Sequence, residues 1–228
     1  MTILVLGGSG FIGPLVIRKL VERDQQVVSL DINPGAASFA EMGGQVEVLR
    51  GDVTQFEDVV KAVIEYRPER IINLAYLLGV GEGRPNFTMR LSVLGMDNCF
   101  EAVRLCGVKR VVYASPIAVS GPQKCFGDQP IDEDARAYGT SQYAVHKIVN
   151  EFHTKQYNQN YGMSITGIRP ANVTGPDKVR GSTDHVQCIT LPVQEEPVSF
   201  PHKSLMRLPI YVEDIAEAFV RVLLVDST

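Results

Sequence analysis

The chain has 228 residues, 45% hydrophobic and 21% charged, with a formal net charge of −4 and a pI near 5.6. These values describe a globular protein with a substantial core, built as one large domain or as one domain with a small cap. They exclude sequence-independent nucleic-acid binding, which needs a basic surface, and no apolar run is long enough to span a bilayer.

The first apolar run, Ile3-Leu4-Val5-Leu6, predicts a buried strand. Gly7-Gly8-Ser9-Gly10-Phe11-Ile12-Gly13 follows, and an amphipathic stretch runs from Phe11 to Val21. A dinucleotide pyrophosphate requires a strand, a glycine turn and a helix in that order. Gly7 allows the tight turn, Gly10 lets backbone N–H groups approach the phosphates, and Gly13 lets the helix pack close to the strand. The helix N-terminus adds unpaired N–H groups and the positive end of its dipole. The next run, Val27-Val28-Ser29-Leu30, ends at Asp31, eighteen residues past Gly13. A carboxylate there accepts hydrogen bonds from the adenosine ribose hydroxyls and repels a 2′-phosphate. The expected cofactor is therefore NAD rather than NADP.

Val46-Glu47-Val48-Leu49 predicts a third strand. A helix with Phe56, Val59, Val60, Val63 and Ile64 on one face follows, with Thr54 as its N-cap and Pro68 as its stop. Ile71-Ile72-Asn73-Leu74-Ala75 reads as the fourth strand, residues 88–106 as a helix capped by Gly107, and Val111-Val112-Tyr113-Ala114 as the fifth strand. A Pro- and Gly-containing loop leads to a long helix over about 140–161, then to a sixth strand over 164–168. Such alternation predicts an α/β fold, a Rossmann-type doubly wound parallel sheet with right-handed crossovers. Residues 1–169 are read as the NAD-binding domain. Residues 170–228 are read as a small, partly irregular substrate cap, broken by prolines at 176, 192, 197, 201 and 209, whose final helix from Val212 returns to the first domain.

Cys99, Cys106, Cys125 and Cys188 show neither a CxxC pair nor metal-ligand spacing. Free thiols in a reducing compartment and no metal site are expected, with Cys99 and Cys106 both on the packed face of their helix. The first strand starts almost at Met1, which leaves no room for a signal peptide, and the expected location is the cytoplasm.

Tyr143 and Lys147 lie four apart, on one face of the long helix. A tyrosine hydroxyl has an unperturbed pKa of about 10, too high for an efficient base at neutral pH. An ammonium one turn away stabilises the phenolate, which then takes a proton from a substrate hydroxyl while hydride leaves the same carbon.

Taken together, these residues resemble the extended short-chain dehydrogenases/reductases, the NAD-dependent epimerase/dehydratase family. Gly7, Gly10 and Gly13 match its glycine motif, Asp52-Val53 its adenine-holding pair, and Asn73-Leu74-Ala75 its segment beside the cofactor. Asn98 matches a helix asparagine that supports the site's backbone. Arg169-Pro170-Ala171-Asn172-Val173-Thr174-Gly175-Pro176 and Tyr211-Val212-Glu213-Asp214 resemble its substrate-side segments. The resemblance implies cofactor contacts at Gly7, Gly10, Phe11, Ile12, Gly13, Asp31, Asp52, Val53, Leu74, Ala75, Tyr143, Lys147 and Pro170. It further implies catalysis by Tyr143, Lys147 and Ser115, and substrate contacts at Asn172 and Arg207.

Three departures from the family pattern stand out. Tyr138 precedes Gly139-Thr140-Ser141-Gln142 in a superficial copy of the catalytic motif, but with glutamine in the lysine position; Glu151, four residues past Lys147, anchors the register on Tyr143. In Tyr113-Ala114-Ser115-Pro116, proline occupies the family's catalytic hydroxyl position, which leaves Ser115 as the substitute or as a structural serine. The family pattern also continues past Tyr-Val-x-Asp, so the sequence reads as a short-capped or truncated member with an open site.

Three functions share these features. One is epimerase or dehydratase chemistry on a sugar or nucleotide-sugar secondary alcohol. Another is a simple dehydrogenase or carbonyl reductase acting on a small non-nucleotide substrate. The third is a non-catalytic NAD sensor. Arg180, His185, His202 and Lys203 are further anion-contact candidates beside Asn172 and Arg207. The resemblance also implies a homodimer through the two long helices, whose expected outer faces carry Met89, Leu91, Val93 and Phe100 on one and Val145, Ile148, Val149 and Phe152 on the other.

Overall fold

The computed structural model describes residues 1–42, 44–76, 83–178, 180–199 and 208–225. Its centre is β1 (Thr2–Leu6), which passes through the glycine turn into α1 (Gly13–Val21) and on to β2 (Gln26–Asp31) and β3 (Val46–Arg50). The chain then crosses by α2 (Phe56–Tyr66) to β4 (Arg70–Asn73), and by α3 (Pro85–Met89) and α4 (Gly95–Cys106) to β5 (Arg110–Ala114). Helix α5 (Gln142–Tyr161) leads to β6 (Ile165–Ile168). All six strands are parallel, in the order β3-β2-β1-β4-β5-β6.

The strands read as unbroken apolar runs because both faces of the sheet are covered. Leu4, Leu6, Val28, Leu30, Ile71, Val111 and Tyr113 point to the α2/α4 side, where Val59, Val63, Phe100 and Val103 meet them. Their neighbours Ile3, Val5, Val27, Ile72 and Val112 point to the other side, against Val16, Ile17 and Leu20 of α1 and Phe219 and Leu223 of α7 (Val212–Leu224). Burying one such side chain contributes about 1.5–3 kcal/mol, so the central strands dominate the apolar stabilisation.

Several local expectations are corrected. Helix α1 starts at Gly13 rather than Phe11, with Pro14 in its first turn, because residues 7–12 form the turn. Gln55, not Thr54, is the N-cap of α2; the Thr54 N–H donates to Asp52 Oδ1 at 2.8 Å. The helix expected from residue 88 starts at Pro85 and carries a π-turn over Arg90–Leu94, where the Gly95 N–H reaches the Arg90 carbonyl. Within that turn the Ser92 carbonyl accepts a buried bond from Asn150 Nδ2 at 2.9 Å. Cys99 is buried but Cys106 is exposed, and no disulfide joins the four cysteines. Phe100, expected on an outer face, is fully buried in the core.

Beyond residue 170 the chain is more regular than its prolines suggest. Strands β7 (Asn172–Thr174) and β8 (Pro209–Tyr211) pair in parallel, and α6 (Asp184–Val193) carries Pro192 in its last turn. No helix among the described residues is long and apolar enough to cross a membrane.

Candidate active site

The strand register brings the carboxyl ends of β1, β2, β4 and β5 level. Leu6 stands beside Leu30 and Asn73, and Asn73 stands beside Tyr113. In a parallel α/β sheet this edge is where ligands bind.

The glycine turn occupies the β1 end. Gly7 has φ +78°, and a Cβ there would lie 2.7 Å from the Ala75 nitrogen. At Gly13 a Cβ would lie 2.3 Å from the Gly8 carbonyl oxygen. Around Gly10, by contrast, only the Gly7 carbonyl among the described residues comes within 4 Å of a Cβ position, which leaves that backbone approachable. Asp31, ending β2, is fixed by two backbone donors: Ser9 N to Oδ2 at 3.2 Å and Asn33 N to Oδ1 at 3.0 Å. Asp52 donates its N–H to Asp58 Oδ2 at 2.8 Å, and the Val53 carbonyl accepts from Asn98 Nδ2 at 2.9 Å. Asn98 therefore does hold the backbone of the Asp52-Val53 segment. Leu74 and Ala75 face the turn from β4, with the Ala75 N–H tied to Asn73 Oδ1 at 3.0 Å; Phe11 and Ile12 are half-buried at the start of α1. An open glycine backbone at a helix start, with a carboxylate at the next strand end, fits a dinucleotide without a 2′-phosphate.

Helix α5 delivers Tyr143 and Lys147. Ser141 caps it, its Oγ accepting from Ala144 N at 3.2 Å, so the first turn is fixed where Tyr143 stands. Lys147 is only 2% exposed, and its Nζ donates to the Ala114 carbonyl at the end of β5 at 2.8 Å. Burial pushes this ammonium down to about 7, against the charge of Glu151. Burial also pushes the Tyr143 phenol up, helped by Tyr76, so it is neutral in the cofactor-free protein.

Ser115 is 1% exposed, and its hydroxyl donates to Glu151 Oε1 at 2.7 Å. Arg169 clamps the same carboxylate with bonds of 2.9 and 2.6 Å, and donates to the Glu133 carbonyl at 3.1 Å. Burial pushes the Glu151 carboxyl up, but the Arg169 and Ser115 bonds outweigh it and hold the carboxyl below its ordinary value. Ser115 is thus engaged in a structural cluster joining β5, α5 and β6. Pro116, the next residue, has extended backbone ahead of a 3-10 turn over Ile117–Val119.

Tyr138 lies in the loop before α5, edge-on to Phe126 at 5.3 Å and under Arg136 at 5.3 Å. Gln142, which the competing register would put in the lysine position, is exposed and donates to the Pro85 carbonyl at 3.4 Å. On the substrate side, the Pro170 carbonyl accepts from Ile117 N at 3.2 Å, and half-buried Asn172 opens β7. Arg180 is exposed. Arg207, His202 and Lys203 lie outside the described residues, as does the side chain of His185.

Sequence reasoning missed Tyr76 and the pairing of Ser115 with Glu151. Tyr76 directly follows the Asn73-Leu74-Ala75 segment, and Glu151 continues the Tyr143, Lys147 face by one more turn. Those placements mark the two positions in the sequence but not the contacts that they make.

Comparison with known proteins agrees with this geometry. The NAD dependent epimerase/dehydratase family matches residues 3–227. A UDP-glucose 4-epimerase of Mycolicibacterium smegmatis is 31% identical over 231 residues, covering 97% of this chain and 72% of that protein. A 3 beta-hydroxysteroid dehydrogenase/Delta 5-->4-isomerase of Mycobacterium tuberculosis is 29% identical over 180 residues, covering 76% of this chain and 47% of that one. Among solved structures, the Thermus thermophilus UDP-glucose 4-epimerase in complex with NAD superposes with a TM-score of 0.84 at 27% identity, covering 100% of this chain and 76% of that one.

Proposed function

The chain belongs to the NAD dependent epimerase/dehydratase family, whose cofactor is NAD, and from that premise we propose that it oxidises a secondary alcohol of a sugar or nucleotide sugar, with Tyr143 and Lys147 as its acid–base pair. One observation carries this reading. A fully buried ammonium, Lys147, lies one helical turn from Tyr143, at the sheet edge that also carries the glycine turn and Asp31. Burying a charge is costly, and such groups cluster where they act.

NAD, when bound, supplies the hydride acceptor for the substrate carbon. The glycine turn from Gly7 to Gly13 would hold its pyrophosphate, Asp31 its adenosine ribose and the Asp52-Val53 segment its adenine. The Lys147 charge stabilises Tyr143 as the phenolate, which then takes the proton of the substrate hydroxyl and becomes the neutral phenol. Returning the proton through the same phenol completes a reversible cycle, as epimerisation requires. Asn172 and Arg207 are proposed substrate contacts. Ser115 acts here through Glu151, which it helps to hold. A direct test incubates the holoenzyme with UDP-glucose and follows the 4-epimer by NMR; no epimer and no reduced cofactor with any sugar nucleotide would remove the nucleotide-sugar reading. The steroid dehydrogenase relative favours a second reading, net oxidation of a non-nucleotide alcohol, which would show as accumulating NADH.

Cofactor choice should follow Asp31. NAD is expected to bind at least tenfold more tightly than NADP, since a 2′-phosphate would meet a carboxylate already fixed by two backbone donors. Calorimetric titration reads this directly, and equal affinities would overturn it. The double substitution Asp31→Ala, Ile32→Arg should narrow or reverse the preference.

Assembly as a homodimer is proposed through the π-turn/α4 and α5 faces. Met89, Leu94, Val145 and Phe152 are exposed there, and a shallow groove of about 300 Å³ runs between Met89, Val93, Leu94 and His153. Leu91, Val93, Ile148 and Val149 are half-buried. Light scattering at micromolar concentration should give a dimer, and Phe152→Glu should shift it to monomer; a monomeric parent would remove the proposal. A reducing, cytoplasmic location is proposed, in which the four cysteines would remain thiols.

A further inference from the structure

We propose that Tyr76 is a further positioning residue of this site: its ring seats the Lys147 ammonium and the Tyr143 phenol, so that the acid–base pair is held as a triplet. The inference rests on the catalytic reading of Tyr143 and Lys147 above, and extends it to a residue outside the motif.

The geometry is specific. The Lys147 Nζ lies 4.9 Å from the centroid of the Tyr76 ring, within cation–π range. The same ring meets Tyr143 at a centroid distance of 4.7 Å and a tilt of 44°. Tyr76 can do this because it follows Ala75, whose N–H is tied to Asn73 Oδ1, so the backbone leaving β4 is fixed. Lys147 has three N–H donors and is 2% exposed, so hydration is not available to it. One donor reaches the Ala114 carbonyl; the π-face of Tyr76 offers the ammonium an electron-rich neighbour without demanding another hydrogen-bond acceptor.

Other groups around the ammonium do not replace this contact. Glu151 on α5 favours its charge, but both Glu151 oxygens are already bonded to Arg169 and one also to Ser115. His146 on α5 is buried beside it and is itself pushed down by burial and by the Lys147 charge. Tyr143 is a neutral phenol. The ring face of Tyr76 and the Ala114 carbonyl are left to hold the ammonium on the sheet side.

The test reads the lysine itself, without turnover. Protein labelled with 13Cε-lysine is titrated by NMR in the absence of cofactor, the Lys147 signal being identified by its loss in Lys147→Met. Tyr76→Phe keeps the ring face and should titrate like the parent. Tyr76→Leu should titrate lower by about one pH unit, the scale of a desolvated cation–π contact. Should Tyr76→Leu fail to fold, pentafluorophenylalanine at position 76 keeps the shape, inverts the ring quadrupole and should lower the midpoint in the same way. A midpoint unchanged by either variant overturns the proposal. Calorimetry adds a second way to lose it: NAD binding more than tenfold tighter to Tyr76→Leu would make the ring a plug in the cofactor's place. Failure of the catalytic reading would appear separately, as full activity in Tyr143→Phe, and would leave this titration untouched.

Discussion

Tyr143→Phe is expected to lower turnover by roughly 10²–10⁴-fold while NAD affinity stays within about threefold of the parent. The substitution keeps the ring, and with it the contact to Tyr76 at 4.7 Å, so the fold and the start of α5 should be unchanged. Only the titrating hydroxyl is lost. Steady-state kinetics with the substrate identified by NMR, beside calorimetry with NAD, separates the two quantities. Tyr138→Phe is the internal control. Its ring packs on Phe126 in the loop before α5, and turnover should remain within about twofold. A larger loss at Tyr138 than at Tyr143 would mean that the motif register is wrong, with Gln142 in the lysine position.

The sheet was legible in the sequence because a parallel strand buried on both faces leaves an unbroken apolar run. Ile3 to Leu6 is such a run, and all four residues are fully buried. The glycine turn was legible for a related reason: the Gly7 and Gly13 positions leave no room for a Cβ, so the spacing itself records the packing. What the sequence hid is non-local or aperiodic. The π-turn over Arg90–Leu94 slips the helical period, and its role is visible only once Asn150 is seen donating to the Ser92 carbonyl. Helix α6 was masked by Pro192, which is tolerated because it falls in the last turn. The partner of Ser115 was equally invisible. Nothing in the sequence beside Pro116 marks the Ser115 hydroxyl as donating to Glu151, a carboxylate that Arg169 also holds. Tyr76 had no motif at all; a ring contact between the end of β4 and α5 leaves no trace in local spacing.

Lys147→Met should separate activity from stability in opposite directions. Activity is expected to fall by about 10²-fold or more, and NAD affinity to fall as well, since the resemblance also implies a cofactor contact at Lys147. Stability should rise. The Lys147 ammonium is held down to about 7 in the fold, against 10.5 for an ordinary lysine, so between those pH values the unfolded chain binds the extra proton. The cost of burying the charge is therefore fully present below pH 7, declines as pH rises, and is gone above about 10.5. Methionine fills a similar volume without that cost. Against the gain stands the Ala114 carbonyl, which loses its donor, a penalty of about 1–3 kcal/mol. Glu151 keeps both Arg169 and Ser115, so no second charge is stranded. The balance at pH 6 should be a gain on the order of 1–3 kcal/mol, typical of replacing a buried ionic group by an apolar one. At about 2–4 °C per kcal/mol for a chain of this size, thermal melts resolve it. The gain should shrink between pH 7 and pH 10. A variant that melts below the parent at pH 6 would make the ammonium a net stabiliser of the fold, and would move Lys147 from the chemistry to the architecture.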